Sequence, residues 1–418
     1  MRQETARRVV ITGLGAVAPN GIGKEAFWRG LISGVPAIRR ISTFDTSNNE
    51  CRIAAEVDFS PALFFSAKRT RELWRFSQFA VSAALLATRD AKLAIETSLA
   101  DRVAICFGTS VNGLGDAERV HEGFLERGPS RQLIPVVVGC PPHTATSQIA
   151  IELGTTGPAV TVSSNCCTGL DAIQAGWSQI ASGRVDVAVA GGAEAPLFPF
   201  SFSAFEALGL LSKRNDDPPA ASRPYDALRD GLVLGEGGGA IVMEELSFAR
   251  DRGASIYAEV AGFAAVGEGA DMRKSDATGA ALASAIDRAL TSARMVPEDI
   301  DYINAHGSSL PDYDVCDTNA FKKSFGRGAY SIPVSSIKSM LGQAVSASGA
   351  FQAISSCLSI RDGIVPPTVN QEVRDPHCDL DYVPNKARSC RARNVLMNAH
   401  GIGGGFSVLI LKAPPHSM

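Results

Sequence analysis

Three observations predict a layered α/β fold built from two similar halves. Apolar, β-branched segments alternate with longer helical patterns along the 418-residue chain. Several of these segments are continuously apolar, which is typical of strands that helices bury on both faces. The third observation is an internal echo: "VSSNCCTGLDAIQAG" resembles "VSSIKSMLGQAVSASG", and each passes from a strand ending in Val-Ser-Ser into a helix of small residues. Because no fixed-period repeat is present, the echo indicates a duplication and not a solenoid.

The predicted strands follow one another in a regular order in both halves. In chain order they are "RVVITGLGAVAP", "RVAICFGTS", "PAVTVSSN", "VDVAVAGGAE", "IYAEVAGFAAV", "IDYINAHGSS", "IPVSSI" and "NVLMNAHG…FSVLILK". The charged stretch "EELSFARDRGAS" separates two apolar strands, so we place a boundary near 245–255. This predicts an N-terminal half at 1–250 and a C-terminal half at 251–418. The Pro/Asp-rich loop at 213–230 is long enough to line a site.

Charge and hydropathy argue against several classes of partner. The formal net charge is −3, so the bulk electrostatics do not indicate nucleic acid or an anionic membrane. No run approaches the roughly 18 apolar residues of a membrane span. The N-terminal "MRQETARRVVITGLG" lacks the apolar core and the cleavage site of a secretory signal. We therefore expect a cytoplasmic protein.

The nine cysteines are an odd number without paired C-x-x-C spacing. Neither a disulfide framework nor a zinc site is expected from such a pattern, and we predict no metal. Most of these thiols should be small buried hydrophobic residues.

Two adjacent cysteines, Cys166 and Cys167, lie where a predicted strand turns into a predicted helix. At a helix start the free N–H groups and the helix dipole favour thiolate over thiol. Small neighbours allow the sharp turn of a nucleophile elbow. The alternative is that both are buried residues of a helix start, and the local sequence does not choose between the two thiols.

Three further segments carry residues that could act on a substrate. His306 in "NAHGSS" follows a strand, at the edge where α/β sheets present their sites, although a lone histidine is more often structural. Lys338 in "SSIKSMLGQ" stands where the internal echo places the cysteine turn, so we expect it to face the same cleft and not solvent. The Gly-rich "NAHGIGGGFSVLI" lacks the Gly-Lys-Ser/Thr of a phosphate loop. It is better suited either to bring a mobile backbone close to a ligand or to present N–H donors to an oxyanion.

The ordered series of motifs resembles the β-ketoacyl synthases of the thiolase superfamily, in particular the elongating type that works on acyl carrier protein. The resemblance covers nearly the whole chain, from "VVITGLGAVAPNGIG" through "GGAEA", "SRPYDALRDGLVLGEGGGAIVMEEL", "NAHGSS", "SSIKSMLGQ" and "RDGIVPPT" to the Gly-rich loop. It implies a thiolase-like α-β-α-β-α fold of two duplicated halves. It also implies a dimer, made either of two identical chains or with a related ketosynthase or chain-length-factor subunit.

The resemblance also assigns roles to the candidate residues. Cys166 matches the nucleophile that takes an acyl chain as a thioester, and Cys167 its small neighbour. His306 matches the first of two histidines that assist decarboxylation of a malonyl unit, and Lys338 the lysine that orders the network. The cysteine N–H and the loop of His400, Gly401 and Ile402 match the oxyanion and gating elements. No bound cofactor is implied, because the substrates travel on the phosphopantetheine arm of acyl carrier protein.

This sequence departs from the family pattern around that pocket. The second histidine, expected in "K-S-x-x-G-H", is Gln343, whose amide can donate a hydrogen bond but cannot carry a proton at neutral pH. In "H-G-T-x-T" the chain has Ser308 and Leu310, so a usual partner of the phosphopantetheine arm is lost. The bulky gate is Ile402, and the phenylalanine of "R-D-G-F" is Leu232. The resulting site is Cys-His-Gln, and an initiating branch of the superfamily offers Cys-His-Asn as a precedent.

One departure suggests a compensating residue. His400 stands where the family usually has phenylalanine, next to the oxyanion loop, so its imidazole could partly replace the histidine missing at position 343. The alternative is a packing residue behind the site.

Carrier proteins are acidic, so their docking requires a basic patch near the tunnel mouth. The segment "AKRTRELWR" offers Lys68, Arg69, Arg71 and Arg75, and Arg131, Lys213 and Arg214 lie in segments that match docking regions of the family. The alternative for each is a solvated helix face of mixed charge.

Taken together, the sequence predicts a condensing enzyme of fatty-acid or polyketide-type specialised metabolism. It is acylated on Cys166 and condenses that acyl group with a malonyl carrier protein through the Cys-His-Gln site. Two alternatives stay open. A non-catalytic, chain-length-factor-like partner subunit is disfavoured by the presence of Cys166, His306 and Lys338 together. A cysteine-dependent acyltransferase that decarboxylates nothing is favoured by the missing second histidine.

Overall fold

The computed structural model describes residues 7–130, 133–272 and 275–414. Within these ranges eleven strands form one mixed sheet, and two pairs of very short strands lie outside it. The strands are β1 Val9–Ala18, β2 Gly21–Ile22, β3 Arg39–Arg40, β4 Ile53–Ala54, β5 Val103–Gly108, β6 Ala159–Val162, β7 Val187–Glu194, β8 Gly237–Glu245, β9 Ala258–Gly267, β10 Tyr302–Asn304, β11 Val334–Ser335, β12 Ile364–Val365, β13 Arg388–Ser389, β14 Asn394–Gly401 and β15 Gly405–Lys412.

The strand order of the sheet repeats itself. One half reads β6-β5-β7-β8-β1 and the other β11-β10-β14-β15-β9. In both halves the first three strands of this order are parallel and the last two connections are antiparallel. The halves meet where β1 pairs with β9, through Val10 with Glu259 and Ile11 with Ala258. The duplication predicted from the internal echo is confirmed, since β6 and β11, which end in the two echoed segments, hold equivalent places.

The described helices cover both faces of the sheet, and two of them lie between its two halves. They are α1 Lys24–Ser33, α2 Ala67–Glu72, α3 Arg75–Asp90, α4 Leu114–Arg127, α5 Ile134–Gly139, α6 His143–Leu153, α7 Thr168–Ala181, α8 Pro199–Ala207, α9 Leu246–Asp251, α10 Ala280–Ala293, α11 Pro311–Phe325, α12 Lys338–Leu341 and α13 Ser346–Asp362. α3 and α6 pack on the first half of the sheet, and α10 with α11 on the second. α7 and α13 lie between the two halves in a shared apolar core, which gives the predicted five-layer α/β arrangement.

Two glycines allow α7 and α13 to touch through their backbones. A Cβ on Gly169 would lie 2.7 Å from the Ala350 nitrogen, and one on Gly349 would lie 2.6 Å from the Leu170 nitrogen. Any side chain at either position would therefore force the helices apart. This close approach brings the start of α7, where the cysteines lie, next to the start of α13 and the segment before it.

The strands and helices also bear on the predicted strands, the predicted boundary near 245–255 and the loop at 213–230. β8 was not among the predicted strands, although its "AIVM" run is continuously apolar. The charged stretch at the predicted boundary contains α9, between β8 and β9. The loop at 213–230 reaches the second half, where the Ser222 hydroxyl donates to the Lys338 carbonyl oxygen at 2.9 Å. Among the described helices none is long and apolar enough to cross a membrane.

Candidate active site

The candidate residues gather around two equivalent strand-to-helix turns. Cys166 and Cys167 lie in a short 3-10 turn, Asn165–Cys167, between β6 and α7. Lys338 begins α12, directly after β11. Both turns follow the carboxyl end of a parallel strand, the edge at which α/β sheets place their sites.

Cys166 is 7% exposed and belongs to an apolar cluster that includes Leu232, Leu310 and Tyr313. Asn165 adopts φ 55°, and its side-chain Oδ1 accepts from both the Cys166 N–H at 2.9 Å and the Cys166 thiol at 3.0 Å. Burial raises the pKa of the Cys166 thiol to about 12, although the nearby Lys338 ammonium lowers it. Desolvation therefore outweighs the helix-start effect that favours the thiolate, and the Cys166 side chain rests as a thiol.

Cys167 faces away from this cluster. Its thiol lies 3.3 Å from the Gly405 carbonyl oxygen and 3.5 Å from that of Ala399, so it points toward the β14–β15 hairpin. Burial also raises the pKa of Cys167. The local sequence left two candidate thiols, and only Cys166 shares the apolar cluster with the predicted substrate-pocket residues.

His306 is buried, and its hydrogen bonds define its tautomer. The His400 backbone N–H donates to His306 Nδ1 at 3.2 Å, so a neutral ring carries its proton on Nε2. The Asn398 side chain accepts from the His306 backbone N–H at 3.1 Å. Burial, then the charge of Lys338 and the neighbouring His400, holds the pKa of His306 well below its usual value. His306 is therefore a neutral hydrogen-bond donor at physiological pH.

Lys338 is 3% exposed and connects the two turns. Its Nζ donates to the His306 carbonyl oxygen at 2.7 Å. Burial lowers the pKa of Lys338 to about 8, while the charges of Cys166, Asp317 and Asp314 raise it. The Lys338 ammonium group therefore loses its proton more readily than an exposed lysine does. It also lies within electrostatic range of the Cys166 sulfur.

Two buried carboxyl groups on α11 support the His306 loop, and the sequence interpretation missed both. Asp317 accepts from the Gly307 N–H at 2.9 Å, and Asp314 accepts from the Ser308 N–H at 2.9 Å. Burial raises the pKa of Asp314 to about 7 and that of Asp317 to about 6. The available signal was their spacing of three residues on a helix that starts just after "HGSSL", which puts both on one face.

Gln343 occupies a fixed position between the halves. Its backbone N–H donates to the Val233 carbonyl oxygen at 2.7 Å, and its own carbonyl oxygen accepts from the Gly235 N–H at 2.9 Å. Val233 belongs to the same apolar cluster as Cys166. The Gln343 side chain is 3% exposed, and its Oε1 accepts from the Ser348 hydroxyl.

His400 is fully buried, and its ring stacks on that of Tyr313 with the centroids 3.8 Å apart. The Phe406 ring packs against it at a tilt of 36°, with the centroids 4.2 Å apart. Neither ring nitrogen has a hydrogen-bond partner among the described residues. Burial lowers the pKa of His400 to about 3. These contacts favour the packing role over that of a proton carrier, and the backbone N–H is the His400 group that reaches His306.

The remaining predicted pocket residues surround the same space. Leu232 and Leu310 are buried in the Cys166 cluster, and the buried Ser308 hydroxyl has no partner within the described ranges. Gly401 is packed against the cysteine turn, since a Cβ there would lie 3.2 Å from the Ser164 carbonyl oxygen. Ile402 is half-buried at the tip of the β14–β15 hairpin.

The predicted docking cations differ in their exposure and in whether their charged groups already have partners. Lys68 and Arg71 are exposed on α2. Lys213 is exposed but forms an ion pair with Glu50, and Arg214 donates to the Leu228 carbonyl oxygen at 3.1 Å. Arg131 lies outside the described residues.

Arg69 on α2 and Arg75 at the start of α3 are already paired with other side chains. Arg75 binds the buried Glu236 through two hydrogen bonds, at 2.5 Å and 2.8 Å, and Arg69 donates to Gln148 at 2.6 Å. The suggestion that Arg75 belongs to the docking patch is therefore wrong, because its guanidinium is already paired.

Comparisons with known proteins cover almost the whole chain. The family model "Beta-ketoacyl synthase, N-terminal domain" matches residues 6–249, and "Beta-ketoacyl synthase, C-terminal domain" matches residues 257–372. A putative polyketide β-ketoacyl synthase 1 of Streptomyces halstedii is 42% identical over 98% of this chain and 99% of the relative. The 3-oxoacyl-[acyl-carrier-protein] synthase 2 of Coxiella burnetii is 40% identical over 97% of this chain and 98% of its own.

Solved structures give the same picture. The ishigamide ketosynthase/chain length factor superposes with a TM-score of 0.91 at 34% identity, covering 98% of this chain and 100% of that one. A type II polyketide synthase acyl-carrier protein in complex with its ketosynthase, bound to the hexaketide, gives a TM-score of 0.88, also at 34% identity, covering 98% of this chain and 100% of that one.

Proposed function

We propose, from the premise that this chain belongs to the β-ketoacyl synthase family of acyl-transferring condensing enzymes, that it works through Cys166, His306, Lys338 and Gln343. The observation that carries the proposal is the pairing of two buried turns. Cys166 lies in the first turn, and Lys338 follows the second. The Lys338 ammonium is within electrostatic range of the Cys166 thiol and donates a hydrogen bond to the His306 carbonyl oxygen.

In the first step the Cys166 sulfur takes an acyl group from the phosphopantetheine arm of an acyl carrier protein. The new C–S bond forms at the thioester carbonyl, the bond to the carrier sulfur breaks, and the thiol proton of Cys166 passes to the departing sulfur. No separate base is consumed, which suits a thiol whose pKa is about 12. The apolar side chains around Cys166 accommodate the acyl chain.

In the second step a malonyl carrier protein loses CO2. The bond to the carboxylate breaks, its electron pair forms the thioester enolate, and the enolate carbon attacks the acyl-cysteine carbonyl. The Cys166 thiolate then leaves and takes up one proton from solvent, which restores the thiol. The His306 Nε2–H and the Gln343 amide donate hydrogen bonds to the enolate oxygen, and neither has to change its protonation state.

The rest of the proposal concerns partners and location. Acyl carrier protein is the partner, with Lys68 and Arg71 as the exposed cations of the docking patch. A dimer, with an identical or a related subunit, fits the sheet edge at β6 and the exposed Ile134, Val137 and Val138 of α5. The cytoplasm suits nine free cysteines, one of them the nucleophile. That no metal or cofactor is bound stays a prediction.

We also propose that the chain divides at 250/251. α9 bridges β8 and β9 at this point, and the two family models end at 249 and begin at 257. Each half then holds one complete five-strand unit of the sheet.

Intact-mass analysis tests the proposed reaction. The protein is incubated with an acyl carrier protein that bears a medium-length acyl chain, and then with malonyl carrier protein. We expect an acyl adduct on Cys166, followed by a carrier-bound chain extended by two carbons. An adduct that never extends would support acyl transfer without decarboxylation, and no adduct would support the partner-subunit alternative. Gln343→His should raise CO2 release if the glutamine limits that step.

A further inference from the structure

A buried serine on the first turn of α13 contacts the glutamine that distinguishes this site. The Ser348 hydroxyl donates to Gln343 Oε1 at 2.5 Å and accepts from the Ala344 backbone N–H at 3.1 Å. Ser348 is 4% exposed, so neither bond competes with bulk water. One hydroxyl therefore ties both the side chain of Gln343 and the backbone that follows it to the helix.

The Ser348 hydroxyl bonds one particular end of the Gln343 amide. A serine hydroxyl has one proton, and here that proton goes to Oε1. The Nε2 group then faces the other way, and no described residue accepts a hydrogen bond from it. A reversed amide would turn its oxygen toward the pocket, where it would repel a thioester or enolate oxygen. The observed orientation leaves the Nε2 donors free for a substrate oxygen.

The backbone around Gln343 shows why a side-chain tether is needed. Val345 is the residue before α13 and has φ 43°, a conformation that a β-branched residue adopts only under constraint. The ladder bonds to Val233 and Gly235 fix the Gln343 main chain but not its amide. The Ser348 hydroxyl is the contact that fixes the amide.

We propose that Ser348 is a positioning residue that holds the Gln343 carboxamide with its N–H groups toward the incoming malonyl thioester. This inference rests on the function proposed above and names the group that makes glutamine effective there. Gln343 carries no proton through the step. It donates to the oxygen that gains charge as CO2 leaves, and Ser348 acts only through it.

Ser348→Ala tests the inference, with Ser359→Ala as its matched control. Ser359 is buried on the same helix, and its hydroxyl has no hydrogen-bond partner among the described residues. We expect Ser348→Ala to lower CO2 release from malonyl carrier protein about tenfold, as loss of one buried hydrogen bond allows. Acylation of Cys166 should change less than about twofold, and Ser359→Ala should leave both rates unchanged.

A double-mutant cycle with Gln343→Met separates positioning from general damage. Once the amide is gone, Ser348→Ala should have no further effect on CO2 release. The inference is overturned if Ser348→Ala causes the same loss in the Gln343→Met background, or if it slows acylation as much as decarboxylation.

A binding measurement distinguishes failure of this inference from failure of the proposed function. The probe is a carrier protein with a malonyl amide on its phosphopantetheine arm, which cannot acylate the enzyme. Ser348→Ala should weaken its Kd about fivefold, and Ser359→Ala should not. If the wild type binds the probe in this way but releases no CO2, the proposed function fails and the positioning role stands. If the wild type turns over and Ser348→Ala changes neither rate nor Kd, only the positioning role fails.

Discussion

The two halves of the protein use the same turn for opposite kinds of side chain. Residues 162–166 read Val-Ser-Ser-Asn-Cys and residues 334–338 read Val-Ser-Ser-Ile-Lys, at equivalent places in the duplicated sheet. In the first turn Asn165 has φ 55°, whereas in the second Ile337 has φ −70°, an ordinary helical value. The unusual backbone is therefore confined to the turn that presents the nucleophile.

The surroundings of the two turns differ as well. Cys166 lies among apolar side chains, whereas Lys338 contacts the His306 loop and lies in the field of Asp314 and Asp317. Burial disfavours the charged form of both side chains. It raises the pKa of Cys166 to about 12 and lowers that of Lys338 to about 8. The duplication supplies one scaffold twice, with apolar surroundings for a cysteine in one copy and charged surroundings for a lysine in the other.

The largest effect is expected at the nucleophile. Cys166→Ala should abolish the acyl adduct, because of the two thiols at this turn only that of Cys166 lies in the apolar cluster. Cys167→Ala, its matched control, should keep acylation within about threefold, since that thiol points to the hairpin and only packing changes. Intact mass after incubation with acyl carrier protein measures both. An adduct retained in Cys166→Ala would show that the acyl group is attached to another residue and that the first turn does not present the nucleophile.

Lys338→Met should lower the condensation rate about 100-fold, since it removes a buried charge-assisted donor. For the wild type we expect this rate to fall as pH rises through about 8, the pKa at which Lys338 loses its charge. Cys166, with a pKa near 12, does not titrate in this window, and His306, with its strongly lowered pKa, adds no limb near neutrality. The variant should lack the fall at pH 8, and a fall that persisted would assign the titration to another group.

The same lysine has a signature in stability. Its charged form is disfavoured in the folded protein, so the cost of burying the charge is fully present below pH 8. That cost is relieved as pH rises from about 8 toward the unfolded value of 10.5, because the unfolded chain binds the additional proton. The free energy of unfolding of the wild type should therefore rise relative to that of Lys338→Met across this window, as denaturant titrations at each pH would measure.

Asn165 tests whether the unusual backbone or the side chain matters in the first turn. Asn165→Gly keeps the positive φ and removes the oxygen that holds the Cys166 thiol and its N–H. We expect acylation to become about fivefold faster, because the resting contacts no longer have to be broken. Asn165→Ala should instead lower stability by about 1 kcal/mol through backbone strain. Stopped-flow acylation and thermal unfolding separate the two, and slower acylation in the glycine variant would mean that the amide assists the reaction.

The fold could be predicted from the sequence because its signals are local. Continuously apolar strands and the repeated Val-Ser-Ser turns depend on neighbours along the chain, and they located both turns and the duplication. The missed residues depend on contacts between distant segments. Asn398 reaches His306 across 92 positions, and Asp317 supports the loop only because α11 packs beneath it. Ser348 looked like one small helix residue among many, and its bond to Gln343 requires the strained turn at Val345.

The protonation state of Cys166 also depends on contacts between distant segments. A helix start is visible in sequence, and it favours the thiolate. The extent of burial is set by side chains from several elements, including Leu232 and Leu310, and it decides the pKa. Local sequence therefore located the turn that holds the two candidate thiols, but not the protonation state of Cys166.

The smallest effect is expected at His400, on the strand beside the cysteine turn. Its ring is neutral, with a pKa of about 3; it stacks on Tyr313 and packs at a tilt against Phe406. The group that reaches His306 is the backbone N–H, which a substitution leaves in place. His400→Phe should therefore change the condensation rate less than about twofold and leave its pH profile unaltered, because phenylalanine keeps the stack. A loss above tenfold, or an altered pH profile, would instead make His400 the substitute for the histidine missing at 343, and would place a second titrating group on the second half of the site.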